Sequence, residues 1–383
     1  MHIINGHILT PHGVMRWLAA RDGRITAFGD GAPPAEWQDD KTIDAAGLTV
    51  VPGFIDLHIH GSAGHDVMDA TPEAIFGMAR FLASHGVTAF LPTTLTHPQG
   101  DLLRALENIR VCMGQPRQGA KILGARLEGP WLNAEKCGAQ NPEYIRTARP
   151  EEVTPLLDTG VVRLVDVAPE IDANFWLIAE CRARGIVTSI AHTSATAEQA
   201  AHAFAHGITQ STHTFNAQTP LHHRAPGVVG AVLAERSVYA ELIADGVHVH
   251  PAAMGALWAC KQPDRLLLIS DAVRAAGMPE GEYRFDERLV LHQGGAVRLP
   301  DGTLAGSSLT MDRALWKFAG AVAQGDMGTV WQCASLTPAR AIGAADEMGS
   351  IEVGKAADVV LIDPGTGEVH LTIIDGQVAW RRG

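Results

Sequence analysis

From about residue 53 to residue 345, short apolar segments alternate with helix-like stretches, and this alternation narrows the fold more than any other feature. The apolar segments read FIDLHIH, TAFLPTT, KILGARLEG, VRLVDVAPE, IVTSIAHT, ITQSTHTF, YAELIADGVHV and RLLLISDA. Strands separated by helices pair in parallel, because each helical crossover returns the chain to the same end of the sheet. Eight parallel strands close a (β/α)8 barrel of the TIM type, for which about 250 residues suffice. The intervening stretches carry helix punctuation. TPEAIFGMARFLASHG predicts an N-cap at Thr71, Pro72 in the first turn and a stop at Gly86, and TAEQAAHAFAHG predicts a cap at Thr196 and an end at Gly207.

The flanking text is strand-like at both ends. MHIING, RITAFGD and KTIDAAGLTVV precede the alternation, while GSIEVGKAADVVLID and HLTIIDGQVAW follow it. We expect residues 1–52 and 346–383 to pair into one small β-sandwich domain beside a barrel spanning residues 53–345. That domain is discontinuous in sequence.

Composition narrows the function classes. A net charge of −12 without a basic cluster argues against nucleic-acid binding, and an anionic substrate needs a local cationic pocket to overcome the overall field. No stretch approaches the roughly 18 apolar residues of a membrane span, and MHIINGHILT lacks a basic region followed by an apolar run, so we expect no membrane association and a cytoplasmic location. The five cysteines are scattered and form no CxxC, as reduced thiols do; Cys137 is expected to be a small buried one.

In a barrel of this type functional side chains gather at the C-terminal strand ends. His58 and His60 end the first strand two residues apart, and alternation points both into the lumen. Glu128 in ARLEGPW, His192 in IAHTSA, His213 in STHTFNA and Asp271 in LISDAV end four more. Any one of them alone has an ordinary structural explanation, such as an N-cap for the aspartate. Their recurrence at strand after strand predicts a metal site. Imidazole and carboxylate donors suit Zn²⁺, and Fe²⁺, Mn²⁺ or Co²⁺ fit the same donor set. Glu128, His192 and His213 leave room for a water, and Glu128 is the natural bridge to a second ion on His58 and His60.

The basic turn HHRAPG places His222, His223 and Arg224 shortly after the His213 strand, and an arginine fork is suited to phosphate. GMPEGEY and HQGGAVRLPDG read as a loop and hairpin turns, since no GxxxxGK[ST] phosphate loop is present. Trp131 and Trp258 read as packing residues. His202 and His206, four apart on a helix without HExxH, read as surface or core-edge residues.

The HxH after PGFID is similar to the amidohydrolase superfamily. LEGPWLN, AHTSAT, THTFNAQ, HHRAPG, IADGVHVHP, ISDA and LAGSSLTMD, in this order, resemble the N-acetylglucosamine-6-phosphate deacetylase family over essentially the whole chain. The resemblance implies hydrolysis of the acetamide of an N-acetyl amino-sugar 6-phosphate in amino-sugar metabolism. Metal ligands then fall on Glu128, His192 and His213, and the acid/base on Asp271. It places substrate-phosphate contacts on Asn216, the Ala217 backbone and Arg224, an acetamide contact on His248, and substrate-lining loops at Ala139 and at Leu304, Ala305 and Gly306. It further implies a homodimer with the phosphate site near the subunit interface. Two features depart from some members. This chain keeps His58 and His60, consistent with two ions, and carries Gln140 where others have the sugar-contacting histidine. No Lys follows VVRLVDVAPE to supply a carbamylated bridge. The N-acetylgalactosamine 6-phosphate deacetylase remains the alternative, with a non-catalytic sugar-phosphate sensor behind it.

Overall fold

The structure is a computed structural model and describes all residues except 35, 36, 38–40 and 117. Its centre is a parallel barrel of eight strands: Phe54–Ile59 (β1), Val87–Thr94 (β2), Ala125–Leu127 (β3), Val162–Val167 (β4), Val187–Ile190 (β5), Gln210–Ser211 (β6), Tyr239–Ile243 (β7) and Leu266–Ile269 (β8). Each pairs in parallel with the next. The ring closes just past β8, where the Asp271 N–H donates to the His58 carbonyl and the His60 N–H to that of Ala272, both at 2.9 Å. All eight predicted strands are present. They read as near-continuous apolar runs because helices cover one face and the packed lumen the other.

The helices start and stop where local chemistry dictates. Thr71 accepts from the Ala74 amide and precedes Pro72–Ser84, which ends before Gly86 at φ +79°. Thr196 and Gln199 form a reciprocal capping box at the head of Ala197–His206, and Gly207 follows at φ +126°. Caps of this kind satisfy amide donors that no helical carbonyl can reach.

The two chain ends meet. Val359–Ile362 runs antiparallel to Thr49–Pro52, which in turn lies parallel to His7–Thr10 within a six-stranded sheet. A four-stranded sheet from Arg24–Gly29, Trp17–Arg21, His2–Ile4 and Thr42–Asp44 faces it. Ile3, Ile8, Leu18, Ile25, Val50, Val359, Leu361 and Ile373 fill the space between. Lys121, at the start of the segment leading to β3, ties this unit to the barrel through Asp358 at 3.0 Å and Asp375 at 2.5 Å.

Between β8 and the helix Met311–Val322 the chain adds a four-stranded antiparallel sheet: Gly281–Phe285, Arg288–Gln293, Ala296–Arg298 and Leu304–Ser307. GMPEGEY, read as a loop, thus leads into a strand. Phe285, Val290, Val297 and Ala305 pack with Leu95, Ala139 and Val273, which lays this sheet against the C-terminal mouth of the barrel. Among the described residues no helix is long and apolar enough to cross a membrane.

Candidate active site

All six predicted ligand side chains converge at the C-terminal mouth. Glu128 Oε1 lies 3.0 Å from His213 Nε2, 3.2 Å from His192 Nε2 and 3.4 Å from His58 Nε2. Its other oxygen lies 3.1 Å from His60 Nε2. Asp271 Oδ1 lies 3.4 Å from His58 Nε2 and 3.3 Å from His60 Nε2. The donors sort into two adjacent groups, Glu128–His192–His213 and His58–His60–Asp271. Glu128 touches every histidine of both.

Orientation of the imidazoles decides whether this set fits a metal. His60 Nδ1 meets the Thr93 carbonyl at 3.1 Å, His192 Nδ1 the Lys136 carbonyl at 2.7 Å, and His58 Nδ1 the Glu241 carboxylate at 3.4 Å. An acceptor at Nδ1 holds the hydrogen there and turns the Nε2 lone pair inward. Yet His58 and His60 bring their Nε2 atoms within 3.2 Å of each other, as do His192 and His213. Two facing lone pairs repel unless a positive charge lies beside them. The donor set therefore fits one or two divalent cations of the kind that imidazole and carboxylate bind.

Protons and cations compete for these positions. Burial disfavours charge on His58 and His60, but the Glu128 and Asp271 carboxylates outweigh it and push the imidazoles up to about 10 and about 9. Burial would raise the Asp271 carboxyl, and the facing His58 and His60 reverse this, holding it down at about 2. Glu128 is likewise held well below the usual carboxylate range, the charge of His58 overcoming its burial. The carboxylates thus stay anionic, as ligands must.

The backbone at these strand ends is held in a sparsely populated region. His192, His213 and Asp271 have φ of +41°, +28° and +48°, and Phe215 and Ala217 are also positive. Left-handed conformations at non-glycine residues cost roughly 1–3 kcal/mol each and persist where the surroundings over-determine them. Gly306 has the same need, at φ +59°, and a Cβ there would meet Val273 Cγ1 at 2.5 Å and the Asp271 carbonyl at 2.8 Å. The close approach of this strand to the Asp271 turn requires glycine.

A cavity opens onto the centre. Of the residues predicted to line it, Ala139, Gln140, Asn216, Ala217, His248, Leu304 and Gly306 do so. Ala305 is buried beneath. Gln140 donates to Glu128 Oε2 at 2.5 Å and accepts the Thr96 amide at 2.7 Å, so it braces the ligand as well as facing the cavity. His222, His223 and Arg224 are not brought to the cavity wall within one chain. They sit on an exposed turn, with the Arg224 guanidinium 2.8 Å from His223 Nε2. Cys137 also departs from expectation: it is half-buried, in the loop that carries Ala139, because that loop covers the site and not the core. Trp131 is buried in the main core and Trp258 packs against it, while His202 and His206 are exposed.

Sequence reasoning missed several residues. Phe285 and Thr303 reach the cavity from the added sheet. Asp245 accepts from His248 Nδ1 at 2.6 Å and from the Val247 and His248 amides at 2.8 Å, which fixes the ring facing the cavity. Arg126, Asp166 and Glu241 form a buried ionic group under the centre. Arg126 stands two residues before Glu128, so strand alternation alone placed it on the same lumen face.

A sequence model of the amidohydrolase family matches residues 49–379. A Bacillus subtilis protein named N-acetylglucosamine-6-phosphate deacetylase is 36% identical, covering 97% of this chain and 95% of its own. An Escherichia coli O157:H7 protein named N-acetylgalactosamine-6-phosphate deacetylase is 39% identical over 99% of both. The structure also resembles that of N-acetyl-D-glucosamine-6-phosphate deacetylase from Mycobacterium smegmatis, solved as a mutant in complex with N-acetyl-D-glucosamine-6-phosphate, with a TM-score of 0.92, 33% identity and 99% coverage of each chain. The chain belongs to the amidohydrolase family and, within it, to the N-acetylglucosamine-6-phosphate deacetylase family.

Proposed function

We propose that this chain hydrolyses the acetamide of N-acetyl-D-glucosamine 6-phosphate to D-glucosamine 6-phosphate and acetate. The observation that carries the reading is the convergence of Glu128, His192, His213 and Asp271 on one cavity, with His248 facing them. Relatives with the same name and 36–40% identity support the substrate.

Glu128, His192 and His213 would hold one divalent cation, Zn²⁺ in our reading, and His58, His60 and Asp271 would hold a second. Such an ion supplies Lewis acidity, which lowers the pKa of water from about 15.7 toward ~7 and polarises an acyl oxygen. Asp271, anionic and beside both clusters, takes a proton from the attacking water as its oxygen bonds to the acetyl carbon. It returns that proton to the sugar nitrogen as the carbon–nitrogen bond breaks, so amine and acetate leave with atoms balanced. His248, its Nδ1–H fixed by Asp245, presents Nε2 to the acetamide region. Asn216 and the Ala217 backbone bind the phosphate end together with Arg224, His222 and His223. A homodimer in which the exposed turn of one chain completes its partner's phosphate pocket accounts for the placement of these three residues outside the cavity.

A second reading has its own support: the Escherichia coli relative named for the galacto epimer is 39% identical over nearly the full length of both chains. One assay decides. The purified protein, its metal content measured, is given N-acetylglucosamine 6-phosphate and its galacto epimer while acetate is followed. We expect faster turnover of the gluco sugar, abolished by a chelator and restored by zinc. Preference for the galacto epimer selects the second reading, and no acetate from either overturns both.

A further inference from the structure

Beneath the two ligand clusters the lumen holds an ionic assembly that ligation itself does not require. Arg126 donates to both oxygens of Asp166 at 2.8 and 2.9 Å and to both oxygens of Glu241 at 2.5 and 3.2 Å. It also reaches the Leu57 carbonyl at 3.1 Å and Thr212 Oγ at 3.0 Å. All three charged residues are fully buried. One guanidinium facing two carboxylates leaves the group with one surplus negative charge. A surplus charge in a dry interior is costly unless a cation lies nearby.

The surplus is directed at one ligand ring. Glu241 Oε2 lies 3.4 Å from His58 Nδ1 and accepts the His213 amide at 3.1 Å. His60 and His192 lean instead on neutral backbone carbonyls, and among the described residues His213 Nδ1 has no hydrogen-bond partner. His58 is thus the one ligand imidazole backed by a carboxylate. A carboxylate behind a ligating histidine fixes the ring and makes Nε2 a stronger donor.

We infer that Glu241, clamped by Arg126, is a positioning residue that orients His58 and strengthens the His58–His60–Asp271 cluster for a divalent cation, making the two clusters unequal. This rests on the two-ion reading above. The test measures zinc per chain across a series of buffered free-zinc concentrations for the wild type, Glu241→Gln and Ser189→Ala. Ser189 meets Thr212 Oγ at 2.6 Å on the far side of the assembly and controls for general disturbance of the lumen.

We expect Glu241→Gln to weaken uptake of one ion, the one that His58→Ala also removes, by about 10- to 100-fold while the other stays. Ser189→Ala should shift neither by more than about threefold. In a His58→Ala background the same Glu241→Gln change should cause no additional loss, which a merely structural role would not produce. Should Glu241→Gln fail to fold, Glu241→Asp keeps the charge for Arg126 but withdraws it from His58, and the same comparison is read on it. Equal uptake by wild type and the Glu241 variant overturns the inference, as does a further loss in the His58→Ala background. A wild type that binds one ion only overturns it while leaving the hydrolase reading intact, and one that binds none removes the metal reading as well.

Discussion

The cavity at the ligand cluster and the turn proposed to grip the phosphate are built on opposite principles. At the reacting end, His58, His60, Glu128, His192, His213 and Asp271 are each at most 7% exposed, with rings and carboxylates fixed by one another. At the proposed phosphate end, outside the cavity, His222, His223 and Arg224 stand exposed on a turn, beside Leu221 at 56% exposure. The difference follows from what each end must do. Stabilising charge that develops on a reacting acetamide demands donors set in advance in a dry site, where they need no reorganisation. Gripping a phosphate that is already charged asks only that a long cation reach it when substrate, or a second chain, arrives. A rigid half, lining the cavity, and a recruited half, on the turn outside it, would therefore serve one substrate.

The sharpest way to break this contrast is to disable the rigid half alone. Asp271→Asn keeps size and shape but cannot take a proton, so kcat for acetate release should fall by about 10²–10⁴-fold. Zinc bound by Glu128, His192 and His213 should remain, as metal analysis of the same sample would show. A kcat within tenfold of wild type would remove Asp271 from its role and make the closed end a mere binding site.

A smaller effect is expected at the recruited half. Arg224→Ala removes a charge-assisted contact worth roughly 1.5–3 kcal/mol, so kcat/KM for the phosphorylated sugar should fall about 10- to 100-fold. Hydrolysis of the unphosphorylated sugar, measured in the same assay, should be unchanged. Salt should separate the halves further. Exposed charges are screened beyond about 8 Å at physiological ionic strength and buried ones far less. Raising ionic strength should therefore raise KM for the phosphorylated sugar while kcat holds. Equal losses on both sugars, or a kcat that falls with salt, would mean that the two ends are not separable.

The same contrast explains what the sequence made legible. The eight barrel strands and the caps at Thr71 and Thr196 depend on local periodicity and short-range hydrogen bonds, which neighbouring residues record. The six ligand side chains could be read because each ends a strand, a position fixed by the fold. Arg126, Asp166 and Glu241 could not be read as a group. They come from β3, β4 and β7, and only barrel closure brings them together. The sheet around Phe285 was obscured by GMPEGEY, whose turn residues hide the strand that follows. Arg224 could be proposed as a phosphate cation by type, but where its long side chain rests is set by tertiary contacts that the motif does not encode.

The finest comparison concerns the hairpin that roofs the reacting end, because its tip is held by a titratable contact. His97 Nε2 lies 2.9 Å from Asp286 in ion-pair geometry, its Nδ1 lies 3.4 Å from Asp101, and Arg288 beside the tip donates to the Ala139 carbonyl. Partial burial opposes charge on His97, but Asp286 and Asp101 prevail and raise it above its ordinary value. A histidine with a raised folded pKa contributes stability that is fully present below about pH 6.5, its unfolded value, and is lost as pH rises through the folded one. Hydrogen exchange at residues 281–293, corrected for intrinsic rate, should therefore speed up over that window by a few fold. His97→Gln should exchange at the faster rate at every pH, while the amides of β1 stay protected throughout. A hairpin whose protection is flat with pH in the wild type would mean that Arg288 alone holds the roof, and the closed end would owe its dryness to packing and not to charge.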